Sequence, residues 1–188
     1  MYNPSFKGDV CSHRHAIFLD NFIRRLFQNP KKIAGPYINP GDTVLDLGCG
    51  PGYFSIDMAK MAGTGGRVFS VDLQEEMLSR VVQKSVQNRL TGIITPHRCT
   101  QENIGLGPEI KADFILAYYM VHETLDHGKF LSQVRALMKP EGRFLMVEPL
   151  FHVSRKKFEQ IVKTAMDTGF ILKDRPPGKG GRSVLLGI

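Results

Sequence analysis

The chain has 188 residues, of which 42% are hydrophobic, and carries a net charge of +7. This length and composition suit one globular domain with a hydrophobic core. No apolar run reaches the roughly 18 residues of a membrane span, and the first 15 residues lack the apolar segment of a secretory signal. Three cysteines without framework spacing favour a reduced, cytoplasmic protein over a disulfide scaffold.

The positive charge is concentrated at the two ends of the sequence. Residues 1–40 hold six Lys/Arg and two acids, a net charge of +4, and residues 151–188 hold eight and three, a net charge of +5. Residues 41–150 have a net charge of −2. A polyanionic partner explains this distribution. An ordinary solvated surface is the simpler explanation, and we favour it.

The predicted elements alternate between helices and strands. An apolar face at helical spacing predicts a helix over 15–28, and Pro30 opens a second short helix that runs through Tyr37. Further on, the sequence predicts strands at 43–47, 67–71, 93–98, 112–119, 143–148, 170–174 and 183–187, and helices at 53–62, 75–90, 127–138 and 154–168.

This alternation predicts an α/β fold with a doubly wound, Rossmann-like sheet of seven strands and helices on both faces. Residues 140–142, Pro-Glu-Gly, predict a turn before the fifth strand. Only residues 176–181 connect the last two strands, which is too short for a parallel crossover. The last strand is therefore expected to be antiparallel.

The first core strand contains an acid and runs into a glycine turn. Asp46 is followed by Gly48, Gly50 and Gly52, and a helix begins at Tyr53. Such a strand–turn–helix junction is typical of a nucleotide-binding corner. The dinucleotide fingerprint needs a glycine where Tyr53 stands, and a carboxylate would repel a pyrophosphate. The pattern therefore favours a ligand with positive charge and no phosphate, such as S-adenosylmethionine.

The second core strand also ends in an acid. Asp72 follows Gly52 by 20 residues, about the separation between the glycine turn and the ribose-binding acid in βαβ nucleotide folds. A carboxylate accepts two hydrogen bonds at once, so Asp72 suits the two ribose hydroxyls. A helix N-cap is a compatible second role for this residue.

These motifs resemble those of class I S-adenosylmethionine-dependent methyltransferases. The resemblance covers about residues 30–188. Its motifs are Asp46-Leu-Gly-Cys-Gly-Pro-Gly52, the strand-end Asp72, Asp113-Phe-Ile-Leu-Ala-Tyr-Tyr-Met-Val-His122, Leu137-Met-Lys-Pro-Glu-Gly142 and Arg143-Phe-Leu-Met-Val-Glu-Pro149. It implies one methyltransferase domain, in which residues 1–38 form a helical N-terminal cap over the active site and residues 39–188 form the cofactor-binding core.

The resemblance also implies which residues hold the cofactor, S-adenosyl-L-methionine, whose product is S-adenosyl-L-homocysteine. The expected cofactor-binding residues are Asp46, Gly48, Cys49, Gly50, Gly52, Asp72, Leu73, Thr100, Gln101 and Tyr118. Within the turn, Cys49 is interpreted as a small packing residue. Thr100 stands where the family usually has an acid that binds adenine, so Thr100 and Gln101 are alternatives for that contact, with Glu102 as a further one.

Candidate catalytic residues follow the fourth and fifth strands, because open α/β sheets place chemistry at the carboxyl ends of strands. His122 and Glu123 are candidates for a base pair that faces the methyl acceptor, with a structural or orienting histidine as the alternative. His152 is a third candidate, and Glu148 is interpreted as structural. Cys11, His13 and His15 lack a fourth ligand, so no metal is expected.

The predicted function is methyl transfer to a small-molecule acceptor by in-line displacement. No membrane partner is expected. An RNA- or ribosome-associated methyltransferase is the alternative that the basic ends support, although nucleic acid is not the favoured partner. A non-catalytic S-adenosylmethionine-binding module is a third hypothesis.

Overall fold

In the computed structural model, the structure describes residues 28–178 and 180–188. The helix predicted over 15–28, and with it most of the N-terminal cap, lies outside these residues. Within the described part, the strands are β1 (Thr43–Leu47), β2 (Arg67–Asp72), β3 (Ile94–Arg98), β4 (Ala112–Tyr118), β5 (Met138–Pro149), β6 (Ile171–Asp174) and β7 (Gly181–Gly187). The α-helices are α1 (Pro30–Ile33), α2 (Tyr53–Ala62), α3 (Glu75–Gln87), α4 (His127–Ala136) and α5 (Arg155–Asp167).

The sheet has the predicted seven strands, in the order β3-β2-β1-β4-β5-β7-β6. The pairs β1–β2, β1–β4, β2–β3 and β4–β5 are parallel. β7 is antiparallel to both β5 and β6, as the short connection before it predicted. The strand order reverses between β1 and β4, and such a switch point is where open α/β sheets bind ligands.

Neighbouring residues of each central strand point into opposite layers. Val44 and Phe114 pack in one buried cluster, which includes side chains of α2 and α3. Leu45 and Ile115 pack in a second cluster, which includes side chains of α4 and α5. Both faces of the sheet are thus covered by helices, as predicted.

Two boundaries differ from the sequence prediction. The short N-terminal helix ends at Ile33, and a separate 3-10 turn covers Gly35–Tyr37, because Pro36 cannot continue an α-helix. β5 begins at Met138, so the predicted turn at 140–142 lies inside a strand. Met138 pairs with Ala112 before a register shift, and a Cβ on Gly142 would lie 2.8 Å from the Ala112 carbonyl oxygen. The strand is therefore irregular at this point, and the backbone of β4 approaches Gly142 closely. Such irregular positions are where Pro and Gly occur within strands.

The described residues that precede β1 run along α2. The Tyr53 hydroxyl, at the start of α2, donates to the carbonyl oxygen of Gln28 at 2.9 Å. The Gly41 N–H donates to the carbonyl oxygen of Ala62, the last residue of α2, at 2.8 Å. Residue 28 therefore lies beside the glycine turn, at the carboxyl edge of the sheet.

Candidate active site

The glycine turn between β1 and α2 contains three residues in the left-handed region. Gly48, Gly50 and Gly52 have φ values of 66°, 53° and 79°. A Cβ on Gly48 would lie 2.8 Å from the Met120 side chain, and one on Gly52 would lie 3.0 Å from Val81. A Cβ on Gly50 would have no described atom within 4 Å. Gly48 and Gly52 therefore allow close packing, whereas Gly50 borders open space.

Asp72 joins this turn to the end of β2. One carboxylate oxygen accepts the Gly50 N–H at 2.8 Å, and the other accepts the Gln74 N–H at 2.9 Å. Burial raises the pKa of the Asp72 carboxyl, and the N–H groups of Gln74 and Gly50 act in the opposite direction. The Leu73 N–H acts on the carboxylate as well, and the two oxygens together keep acceptor capacity for a further donor, because a carboxylate has about four lone-pair sites.

Asp46 lies behind the turn. It is 2% exposed, and its Oδ2 accepts the Ser55 hydroxyl of α2 at 2.5 Å. Its burial limits the contact it offers a ligand. Cys49 is buried, and its N–H donates to the carbonyl oxygen of Val71.

A cleft of about 1400 Å³ opens beside the end of β3. Leu73, Thr100 and Gln101, the residues predicted at the adenine end, all line it. The Thr100 hydroxyl accepts the Asn103 N–H at 3.0 Å, which holds the loop in a turn. Cys99 lines the same cleft and was not a predicted site residue. Its position directly after β3, at the carboxyl end of a parallel strand, is the sequence feature that could have indicated it.

Tyr118 closes β4 and is 7% exposed. Its ring centroid lies 4.6 Å from that of Phe54 and 4.2 Å from that of Tyr119. Tyr119 has a φ of 63°, uncommon for a residue with a large side chain, and its N–H donates to the Val147 carbonyl oxygen at 2.7 Å. Such conformations cluster at functional sites, and this one lies at the carboxyl edge of the sheet.

His122 contacts two carboxylates. Its Nδ1 hydrogen-bonds to Oε2 of Glu148, which is fully buried and whose Oε1 accepts the Val121 N–H at 2.9 Å. Its Nε2 lies 3.9 Å from Oε1 of Glu123. The structure therefore adds a closer partner, Glu148, to the predicted pair of His122 and Glu123. The sequence separates residues 122 and 148 too widely for their spacing to indicate the contact.

The surroundings of this histidine contain further ionisable groups. The Lys157 ammonium lies 3.5 Å from the His122 carbonyl oxygen. Burial, and then the positive charge of Lys157, lower the pKa of His127. Nε2 of His127 is buried and has no hydrogen-bond partner among the described residues. His152, the third predicted catalytic residue, is exposed on the loop after β5.

Within residues 28–178 and 180–188, no group of three or more His, Cys, Asp or Glu side chains forms a metal site. Cys11, His13 and His15 lie outside the described residues. The same described part contains no helix that is long and apolar enough to cross a membrane.

Comparison with solved structures defines the class of this fold. A S-adenosylmethionine-dependent methyltransferase from Aquifex aeolicus matches with a TM-score of 0.81 and 24% identity, over 93% of this chain and 97% of that one. Fibrillarin from Aeropyrum pernix, solved with natively bound S-adenosyl-L-methionine, matches with a TM-score of 0.62 and 16% identity, over 90% of this chain and 74% of that one. The architecture is the class I methyltransferase fold, and S-adenosyl-L-methionine is the cofactor of this class.

The sequence comparison is consistent with this class. Residues 38–173 match the family described as methyltransferase domain, and the chain belongs to that family. Over 117 residues, 62% of this chain, it is 33% identical to the ubiquinone/menaquinone biosynthesis C-methyltransferase UbiE of Paraburkholderia phytofirmans. The match covers 46% of that relative, so the chain spans about half of its length.

Proposed function

We propose that this chain transfers a methyl group from S-adenosylmethionine to a small-molecule acceptor by in-line displacement, with His122 as the base that prepares the acceptor. The observation that carries the cofactor assignment is the arrangement of Asp72 and the glycine turn. A buried carboxylate binds the backbone of the turn, and the turn borders open space at Gly50.

The residues present fit S-adenosylmethionine. Asp72 has acceptor capacity left for ribose hydroxyls, and Leu73 offers an apolar side chain in the adjoining cleft for adenine. Bound there, the cofactor supplies an activated methyl group, and the protein supplies alignment and exclusion of water.

His122 has the geometry of an oriented base. If its Nδ1 carries the proton donated to Glu148, then Nε2 is left with a lone pair that can accept a proton from an acceptor. The buried Glu148 carboxylate fixes the tautomer and stabilises the imidazolium that forms, as an orienting carboxylate does in other enzymes. Glu123 lies on the Nε2 side and is a second polar group for the acceptor.

The acceptor class follows from this base and from the relatives. An acceptor that needs deprotonation, such as the hydroxyl of a phenol or of an enol, gives His122 a role, whereas a preionised thiolate does not. The UbiE relatives are described as C-methyltransferases, which agrees with methylation at a carbon of such an acceptor. We therefore propose a small enolic or phenolic acceptor.

The direct test is a methyl-release screen over small phenols, enols, thiols, amines and RNA, with the Asp72→Ala variant as the negative control. The proposal expects product with a phenol or enol. Activity on RNA alone, with a steep dependence on salt, would support the RNA alternative instead. No turnover with any acceptor, together with tight binding of S-adenosylhomocysteine, would favour a non-catalytic binding module.

The role of His122 is tested by separating turnover from cofactor binding. The His122→Ala variant is expected to lose on the order of 10²- to 10⁴-fold in turnover, the usual contribution of a positioned base, with nearly unchanged affinity for S-adenosylhomocysteine. His152→Ala tests the third candidate catalytic residue in the same assay, and the proposal expects this variant to keep most of its turnover. Equal losses of turnover and cofactor affinity in His122→Ala would show that the residue is structural.

A further inference from the structure

An apolar loop is exposed after β5. The Phe151 side chain is 97% exposed, and the adjacent Leu150 is 43% exposed. Leu125, in the segment between Glu123 and α4, is 58% exposed. Single exposed apolar residues are ordinary, but a fully exposed phenyl ring next to an exposed leucine is a local departure from burial of apolar surface.

Three consecutive cations follow this loop. Arg155, Lys156 and Lys157 occupy the first turn of α5, all three are exposed, and this turn contains no acid. The N-terminus of a helix carries partial positive charge, so cations there reduce helix stability. Residues that reduce stability at one site often serve a function there, and three cations suit an anionic partner.

Arg175, directly after β6, and Arg182, within β7, extend the positive surface. Arg175 and Arg182 line, with Arg155, a cleft of about 450 Å³ at the start of α5. Glu159 pairs with Arg175 through two hydrogen bonds of 3.0 and 2.8 Å, and Arg182 donates to the Val153 carbonyl oxygen at 2.7 Å. One acid therefore faces three arginines, and the cleft keeps a surplus of positive charge.

This surface adjoins the candidate active site. The Leu150 N–H lies 3.4 Å from the carbonyl oxygen of Gly180, and Lys157 reaches the His122 carbonyl oxygen at 3.5 Å. The loop continues from the carboxyl end of β5, beside the end of β4. A partner bound by the loop therefore lies at the same edge of the sheet as His122.

We propose that the loop–helix surface, formed by Leu150, Phe151, Arg155, Lys156, Arg175 and Arg182, binds the surface of an anionic phospholipid bilayer. The cations contact lipid phosphates, and the two apolar side chains enter the boundary between headgroups and acyl chains. Phe151 and the arginines could also stack on RNA bases, but the aliphatic Leu150 beside Phe151 favours the boundary between headgroups and acyl chains. This association lies on the membrane and involves no span, and it departs from the sequence-based expectation of no membrane partner.

The test is co-sedimentation of the full chain, without cofactor, with phosphatidylcholine vesicles that do or do not contain phosphatidylglycerol. We expect binding only to the vesicles that contain phosphatidylglycerol. Phe151→Ala is expected to weaken it about tenfold through lost apolar contact. Arg155→Gln/Lys156→Gln is expected to weaken it about 30-fold, roughly fivefold for each cation. Because no methyl donor is present, failure here is distinct from failure of the proposed methyl transfer.

Matched controls separate this surface from general charge and hydrophobicity. Val86→Ala changes another exposed apolar residue, and Lys31→Gln/Lys32→Gln removes two exposed cations elsewhere. Both are expected to leave vesicle binding within about twofold of the wild type. Equal losses in the controls and in the loop–helix variants would overturn the proposal.

Other occupants of the surface give different results. Binding of RNA with no binding to anionic vesicles would identify a nucleic-acid surface and overturn the lipid assignment. Absence of vesicle binding, together with a lower melting temperature of Phe151→Ala, would show that another part of the same chain covers the ring. Self-association that is lost in Phe151→Ala would identify a second copy.

Discussion

At the scale of single residues, the three glycines of the turn serve different purposes. A side chain at Gly48 or Gly52 would collide with Met120 or Val81, whereas one at Gly50 would enter open space. Gly50 also donates its N–H to Asp72, so its backbone is fixed without help from packing. Glycine is thus favoured at this position by its positive φ. In our account, glycine also leaves room there for the cofactor.

Gly50→Ala tests that account. We expect it to weaken binding of S-adenosylhomocysteine at least tenfold, because the added methyl group enters the proposed ligand space, and to cost about 1 kcal/mol of stability through its positive φ. Gly41→Ala is the matched control, since Gly41 also has a positive φ (93°) and no described atom near a Cβ. Calorimetric titration measures the affinities. Equal affinities of the two variants would argue against a ligand beside Gly50.

A second prediction at this scale concerns His127 and pH. Burial, and then Lys157, lower the pKa of His127 below its usual 6.5, although Glu148 and Asp126 act in the opposite direction and His122 acts with Lys157. The unfolded chain therefore binds a proton before the folded chain does. The stability that neutral His127 contributes is full above pH 6.5 and is lost as the pH falls from there through the lowered folded pKa.

His127→Gln removes this titration. Its melting temperature should fall less steeply than that of the wild type on acidification from about pH 7 to about pH 5. Parallel curves for wild type and His127→Gln would contradict the assignment.

At the scale of elements, the first turn of α5 combines a good cap with unfavourable charges. The Ser154 hydroxyl accepts the Lys157 N–H at 3.1 Å, and residues 155–157 place three cations at the same helix end. The cap stabilises the helix, and the cations oppose its dipole. Stability alone would select acids in this turn.

Lys156→Glu is therefore expected to raise the free energy of unfolding by a few tenths of a kcal/mol to about 1 kcal/mol, measured by urea denaturation. Gln160→Glu places an acid in the middle of the same helix and is expected to change stability little. A less stable Lys156→Glu variant would show that the cations stabilise the folded chain. It would then be wrong to infer an anionic partner from cations that reduce the stability of α5.

The elements themselves were largely predictable. Strands β1 and β4 are buried on both faces and are mostly apolar, and α2 follows a glycine turn, so their positions follow from local pattern. The start of β5 was not predictable from local pattern, because residues 140–142 have turn chemistry. Pairing of Met138 with Ala112 overrides that local preference.

At the scale of the whole molecule, the parallel strands bring distant residues to one edge. Asp72 lies at the end of β2, and its link to the glycine turn was foreseeable from strand order alone. The contact between His122 and Glu148 was not, because the side-chain directions at two strand ends depend on the loops that follow them. The exposure of Phe151 likewise depends on packing that no sequence pattern specifies.

The central claim is that Asp72 and the glycine turn hold S-adenosylmethionine, and calorimetric titration of S-adenosylhomocysteine into Asp72→Ala tests it most directly. Loss of the ribose hydrogen bonds should cost roughly 2 to 4 kcal/mol, or about 30- to 1000-fold in affinity. Asp113→Ala is the control, since Asp113 binds Thr43 and Lys139 near the opposite end of the strands. Loss of affinity in Asp72→Ala alone is the predicted result, and wild-type affinity in that variant would contradict the account.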